Sequence, residues 1–337
     1  MSQSHYFPIN TTYSIIDPAT IAHYVADKFK LISIKECLFW CQGINDTYKI
    51  ICEHEEYMLR VYRHKWRSNE DIRYEMEALS FIHNKAPKLP GYVAEILSAP
   101  DSKETVYEIE AAEGKRYLVL TKWLKGCPID VNNDAHIALY ATTLSRLHNE
   151  TIRFNSTHQR IELSVETLLT SPYQKIKPYF SIIPNYQPWF SELIEKLTTR
   201  YQTLDKNEHN FGFCHGDYQL SNSHVYKEKL SVFDFDCSGE GFRIYDVATF
   251  KWYCLTNNID LSIWESFLNY YLQAQKITQL ELNMINDIVM IRQIWTIGLH
   301  CETALAKGWL SESYFKFQFD LLKQWQNQDF TSKQFIY

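Results

Sequence analysis

Along the first third of the chain apolar residues alternate with polar ones over short stretches; along most of the rest they recur every three or four positions. Asp17-Pro18 places a side-chain acceptor before a residue suited to a first helical turn, which predicts a helix from there to about Lys30. Ser33–Cys41, Asp46–Cys52 and Tyr57–Arg63 are short, rich in Ile, Tyr and Leu, and separated by polar turns, the signature of strands. Ser68 then caps a helix over Asn69–Asn84, whose Ile72, Met76, Leu79 and Ile82 form one apolar stripe. Further strands are expected over Tyr92–Leu97, Thr105–Ala111 and Arg116–Trp123. This predicts a small α+β lobe built on an antiparallel sheet.

The period changes after Lys125-Gly126-Cys127-Pro128. Helices are expected over Ala135–Glu150, Trp189–Leu204, Ile244–Leu255 and Ile259–Gln275, with more up to Gln326. One β island, Phe211–Asp236, interrupts them; in it Val225-Tyr226 and Leu230–Phe235 flank Lys227-Glu228-Lys229 as a hairpin. The expected division is an N-terminal lobe over 1–121, a connector over 122–127 and a mostly helical C-terminal lobe over 128–337. No internal repeat is evident.

Composition narrows the class. A chain of 337 residues with 45% hydrophobic positions can bury more than one small core, so global disorder is excluded. Ten Gly and ten Pro exclude collagen-like and low-complexity classes and argue against an all-β protein. A net charge of −6 gives no basic footprint for nucleic acid. The 8 Cys are scattered without a CxxC pair, which argues against a zinc ribbon or a redox motif. The first residues lack a secretory apolar core, and no run reaches the ~18 apolar residues of a membrane helix. A cytoplasmic protein with reduced thiols and no membrane partner is the expectation.

The chemistry lies in the island. Phe213-Cys-His-Gly-Asp-Tyr-Gln-Leu-Ser-Asn222 carries His215, Asp217 and Asn222 as HxD-x4-N, and Val232-Phe-Asp-Phe-Asp236 follows. Phosphoryl transfer needs such a set: a carboxylate to take the attacking hydroxyl's proton, and an amide and a second carboxylate to hold Mg²⁺, which demands oxygen ligands. Asp217 is the candidate base, and Asn222 and Asp234 are the candidate metal ligands. If the strand stays regular to its end, Asp236 shares a face with Asp234, making it a substrate-side candidate. No GxxxxGK[ST] occurs, which argues against a P-loop enzyme.

HGDYQLSN followed by SVFDFDCSGEGFRIYDVATFKW resembles the aminoglycoside phosphotransferase family, which also includes choline kinase-like and homoserine kinase-like small-molecule kinases. The resemblance covers roughly residues 35–255. It implies a bilobal protein-kinase-like fold, ATP (GTP remains open) and Mg²⁺. Gly43–Tyr48, with Asn45 inside it, resembles the family's nucleotide loop, although an ordinary hairpin turn fits it equally. Tyr57–Arg63 matches the strand that supplies the phosphate-binding cation. Arg60 is in register, because Met58, Arg60 and Tyr62 share a face and Arg63 does not. Glu75 matches the acidic partner on the next helix; Glu77 points about 200° away. Leu118–Gly126 resembles the segment joining the lobes. There Thr121 would back the adenine pocket, the Lys122 carbonyl and the Leu124 amide would bond the adenine edge, and Trp123 would sit between them. By the same resemblance Asp246 supports the catalytic loop through its amides, and His215 is a loop anchor rather than a base.

The chain departs from the family pattern at Gln219, where many members carry a second His, and at Tyr218 and Ser221. The acceptor walls are expected beyond Asp246, with Arg292, Trp295, His300 and Glu302 as candidates, although an aromatic core stripe fits them better. Acids beside aromatics would suit a small cationic acceptor, an aminoglycoside or an amino-alcohol such as choline, ethanolamine or homoserine. A phosphotransferase to an alcohol group is thus the leading expectation. The alternatives are a kinase-like sensor without transfer, and a hydrolase with His215, Asp217, Asp234 and Asp236 as metal ligands. A protein kinase is disfavoured because no APE segment follows Asp236.

Overall fold

The computed structural model describes residues 10–85 and 93–327. It divides into two compact units. Of the described residues, the first holds those up to His83, Ala94–Leu124 and Thr157–Gln159; the second holds the rest, chiefly Lys125–Ser156 and 160–327.

The first unit runs α1 (Pro18–Phe29), β1 (Ile34–Gln42), β2 (Asp46–Cys52), β3 (Glu56–Val61), α2 (Asn69–Lys85), β4 (Ile96–Leu97), β5 (Tyr107–Ala111) and β6 (Gly114–Lys122). Asp17 starts α1 as expected, its carboxylate accepting the Thr20 amide at 2.9 Å. The strands form an antiparallel sheet in the order β1-β2-β3-β6-β4, with β5 on β6. Of the strand expected over 92–97 only Ile96–Leu97 is a strand, and Tyr92 lies outside the described residues.

Strand alternation gives the sheet two faces. On one, Tyr48, Ile50, Leu59, Val61, Leu118 and Leu120 are buried against Ile21, Val25 and Phe29 of α1. Withdrawing each such side chain from water is worth about 1.5–3 kcal/mol. The other face carries Thr47 opposite Arg60, Arg60 opposite Val119, and Met58 opposite Thr121. A charge cluster also lies inside this unit. Arg116 is wholly buried, 2.7 Å from Asp46 and 3.5 Å from Glu113, and it donates to the Ser14 and Tyr62 carbonyls at 2.9 Å.

The second unit contains α3 (Asp134–Glu150), α4 (Ser171–Ile176), α5 (Gln187–Tyr201), β7 (Phe211–Cys214), β8 (Ser223–Tyr226), β9 (Lys229–Val232), β10 (Gly239–Phe242), α6 (Ile244–Thr256), α7 (Leu261–Leu272), α8 (Gln279–Thr303) and α9 (Glu312–Gln326). The fold class is α+β, with the antiparallel sheet in the N-terminal part and helices dominating the C-terminal part. The hairpin β8–β9 is as expected, except that its second strand stops at Val232. The pairing of β7 with β10 was not expected. Gly239 and Gly241 give β10 little side-chain signal, so its pattern does not stand out in the sequence.

A strap links elements far apart in sequence. Thr157 donates to Glu77 of α2 from its amide at 3.1 Å and its hydroxyl at 2.9 Å, and His158 Nδ1 lies 2.9 Å from Glu70. Within the second unit, Arg160 donates to the Ser238 carbonyl at 2.6 Å and to that of Asp236, and the Leu163 amide donates to the Glu240 carbonyl at 2.7 Å.

No helix among the described residues is long and apolar enough to cross a membrane. All eight cysteines are free thiols.

Arg116→Met keeps the aliphatic stem but strands two buried carboxylates. It is expected to lower stability by about 3–5 kcal/mol, read as a fall in the urea midpoint; an unchanged midpoint would mean the cluster contributes nothing net.

Candidate active site

In the second unit β7 ends at Cys214, and the chain turns through His215 and Gly216 into Asp217. Asp246, in the first turn of α6, sets that turn: its two carboxylate oxygens accept the His215 and Gly216 amides, each at 2.8 Å. Asp246 is completely buried, and His148 Nε2 lies 3.0 Å from it. His148 Nδ1 lies 2.7 Å from the Tyr271 hydroxyl. Burial lowers the His148 pKa despite the pull of Asp246, so the ring is neutral near pH 7. The consistent tautomer donates from Nε2 and accepts the Tyr271 hydroxyl at Nδ1.

Gly216 has φ +76°, and a Cβ there would sit 2.0 Å from the Cys237 carbonyl oxygen. Only glycine lets the turn into Asp217 meet the turn after Asp234. His215 joins the same two segments. Its Nδ1 accepts the Asp217 amide at 3.2 Å, and its Nε2 donates to the Phe233 carbonyl at 3.0 Å. With both nitrogens taken, His215 is not disposed to ligate a metal, which removes a member of the hydrolase set. Among the described residues no cluster of three or more His, Cys, Asp or Glu side chains could hold a metal ion.

Asn222 ends a short turn beneath Asp217. Its Nδ2 donates to the Asp217 carbonyl at 3.0 Å and to Asp217 Oδ2 at 2.9 Å, and its own carbonyl accepts the Phe233 amide at 3.0 Å. Asn222 therefore bonds the candidate base on one side and the backbone entering Asp234 on the other. Because Nδ2 makes both bonds to Asp217, Oδ1 keeps its acceptor capacity.

Asp234 departs from the strand geometry expected of it. β9 stops at Val232, Asp234 is left-handed (φ 65°, ψ 58°), and Phe235–Cys237 forms a tight turn. The condition that would place Asp236 on the face of Asp234 therefore fails. Asp236 is 4% exposed, and its carbonyl accepts from Arg160. Phe235 packs on His215, with ring centroids 4.4 Å apart.

Two neighbours of Asp217 come from opposite ends of the sequence argument. Gln219, standing where many relatives would have a second His, donates to Asp217 Oδ2 at 3.2 Å. Arg292 of α8, weighed above only as an acceptor wall, forms an ion pair with Asp217 Oδ1. Its guanidinium carbon lies 4.4 Å from the Trp295 ring centroid and 5.0 Å from that of Trp252. Burial, the largest single influence, would lower the Arg292 pKa, but Asp217, Tyr245 and Cys237 together outweigh it and the net direction is upward. Tyr218 points inward, stacked on Tyr140 at 4.4 Å. Glu302 is not brought to Asp217: it is exposed and lies 2.5 Å from Lys175. His300 is taken by the Tyr314 hydroxyl at 2.7 Å.

In the first unit Arg60 Nη1 lies 3.0 Å from Glu75 Oε1, and the Tyr62 hydroxyl donates to Glu75 Oε2 at 2.8 Å. Glu75 is 1% exposed. The Asn45 carboxamide oxygen accepts the Arg63 amide at 3.1 Å, so that side chain pins the loop to the chain just past β3. Trp123 meets Trp40 edge-on at 5.1 Å, with the Lys49 ammonium 4.3 Å from the Trp123 ring centroid. The Lys122 ammonium lies 3.4 Å from both Glu55 and Glu95.

The pattern of the phosphotransferase enzyme family (APH) matches residues 42–282. The chain belongs to that family. Among its relatives, an uncharacterised protein of Deinococcus radiodurans is 26% identical over 324 residues, spanning 94% of this chain and 92% of that one. Among solved structures, the amicoumacin kinase hAmiN, in complex with AMP-PNP, Ca²⁺ and Ami, superposes with a TM-score of 0.75 at 18% identity, covering 94% of this chain and 95% of that one. A microcompartment-associated aminopropanol kinase gives a TM-score of 0.73 at 17% identity, covering 92% and 98%. At these identities the structural likeness carries the fold, which is protein-kinase-like. The resemblance drawn from HGDYQLSN is thereby confirmed: the chain is a member of a phosphotransferase enzyme family.

Gly216→Ala is expected to cost roughly 2–4 kcal/mol of stability, since the new methyl meets backbone rather than a movable side chain. The measurement is the denaturant midpoint; a variant that keeps the wild-type value would contradict the contact with Cys237.

Proposed function

We propose that this phosphotransferase moves the γ-phosphoryl group of ATP to a hydroxyl of a small acceptor, with Asp217 orienting that hydroxyl and taking its proton. The observation that carries the reading is the position of Asn222, bonded at once to the Asp217 side chain and to the backbone entering Asp234. That network is what an in-line transfer requires of a protein: a fixed carboxylate for the nucleophile beside oxygen ligands for a divalent ion.

Asn222 Oδ1 and the Asp234 carboxylate are the groups that would hold Mg²⁺. Their chemistry fits, because both are hard oxygen donors and few enough to leave positions for phosphate oxygens and water. Bound there, the ion supplies positive charge against the phosphates of the nucleotide. On the nucleotide side, Arg60 is the phosphate cation. Glu75 and Tyr62 fix its direction, since a guanidinium fork held by a buried carboxylate keeps one orientation. The Lys122 carbonyl and the Leu124 amide are the proposed adenine contacts, with Trp123 at their side, and Asn45 shapes the loop before β2. Asp246 and His215 support the catalytic turn without touching substrate. The proposed domains are 1–121 for the nucleotide and 128–337 for catalysis and acceptor, with 122–127 between.

The acceptor is proposed to be a hydroxyl compound of the amino-alcohol or aminoglycoside type, as the amicoumacin and aminopropanol kinases suggest. Arg292 already answers the charge of Asp217, so an acceptor ammonium would need acids further from the reacting hydroxyl. Trp295 is a wall of that site only through Arg292, and Glu302 would first have to leave Lys175.

Asp217→Ala is expected to abolish ATP turnover while nucleotide binding, read by thermal shift with Mg²⁺, persists; a variant that turns over at the wild-type rate would remove Asp217 from its role. Arg60→Ala is expected to raise KM for ATP about tenfold or more, through loss of a charge-assisted phosphate contact. A KM equal to wild type in the same coupled assay would reassign the phosphate cation.

A further inference from the structure

Arg292 is 4% exposed, and an unpaired buried guanidinium would be costly. Its bonds are specific. Nη2 donates to Asp217 Oδ1, and Nη1 donates to the Gly216 carbonyl at 2.9 Å and lies 3.5 Å from the Tyr245 hydroxyl. One fork thus grips both the backbone and the side chain of the same turn. The Trp295 and Trp252 rings both lie against it, and the Trp252 indole N–H donates to Gln293 at 2.7 Å.

A carboxylate offers about four acceptor positions, two on each oxygen. On Asp217 two donors meet Oδ2, Asn222 Nδ2 at 2.9 Å and Gln219 Nε2 at 3.2 Å. Arg292 takes a third position, on Oδ1. Among the described residues one position then remains, on Oδ1, beside the guanidinium.

We infer that Arg292 is a positioning residue for phosphoryl transfer: by clamping Asp217 Oδ1 to the Gly216 carbonyl it leaves one aimed acceptor position for the incoming hydroxyl. The inference rests on the kinase reading of Asp217. Without the clamp the carboxylate turns about its own bond, and the hydroxyl meets several orientations of which one is productive. Misaimed nucleophiles lose rate rather than nucleotide affinity.

The test compares the full-length wild type with Arg292→Met, Arg292→Lys and Asp217→Ala. ATP turnover is measured with Mg²⁺, both with water as acceptor and with a panel of aminoglycosides, choline, ethanolamine, aminopropanol and homoserine. Arg292→Met is expected to lower kcat about thirtyfold with KM for ATP within about twofold of wild type. Added guanidinium ion is expected to restore part of that rate. Arg292→Lys keeps the charge but lacks the fork, and its expected kcat is roughly five- to tenfold below wild type. A wild-type kcat in either variant, while Asp217→Ala is inactive, overturns the inference and leaves the kinase reading standing. So does an equal loss in both variants that guanidinium does not relieve, which is the mark of a purely structural arginine. If the methionine variant does not fold, the lysine variant alone decides. Absence of ATP turnover by the wild type under every condition overturns the kinase reading and this inference together.

Discussion

Two amide hydrogens, those of His215 and Gly216, end on the single carboxylate of Asp246, and the shape of the turn into Asp217 follows from that. A buried ionised group is expensive unless its lone pairs are used, so the turn and the N-terminus of α6 must form together. The same constraint reaches outward. His148 lies against the carboxylate from α3 and Tyr271 against His148 from α7, so three helices meet at one charge. The proposed reactive groups stand on that base. Asp217 follows Gly216, Asn222 bonds Asp217, and the backbone entering Asp234 bonds Asn222.

Arg292 closes the arrangement from the fourth side. With it, Asp217 is bonded by donors from its own loop and from α8, a helix dozens of residues later in the chain. Such a group has little freedom left, and preorganisation of this kind costs nothing at the moment of reaction.

Much of this was legible in the sequence. Strand parity and helical rotation put Arg60 and Glu75 on meeting faces, and the two residues pair, while Glu77 faces Thr157 instead. Such pairings are readable because they depend on local periodicity. What escaped depends on long-range closure. The Arg292 pair joins positions 75 residues apart, and nothing in the helical pattern of α8 distinguishes a guanidinium aimed at a carboxylate from one that fills an aromatic stripe. The regular strand through Asp236 failed for a local reason: a left-handed residue at Asp234 leaves no mark in the alternation of apolar residues. Arg116 looked like the polar start of a strand, yet it sits at zero exposure because Asp46, 70 residues earlier, meets it there.

The strap at Thr157–Gln159 bears on how the protein can be divided. These residues group with the first unit although their flanking sequence belongs to the second. Glu70 and Glu77 of α2 receive bonds from Thr157 and His158, which a fragment ending at the connector would not contain. Gene order and spatial membership therefore differ, and the N-terminal unit is not a cassette that can be excised or grafted by cutting once. Recombination between homologous chains at the connector would pair one parent's acidic helix with the other parent's strap, so exchange there should be tolerated only where both parents carry matching residues at these contacts.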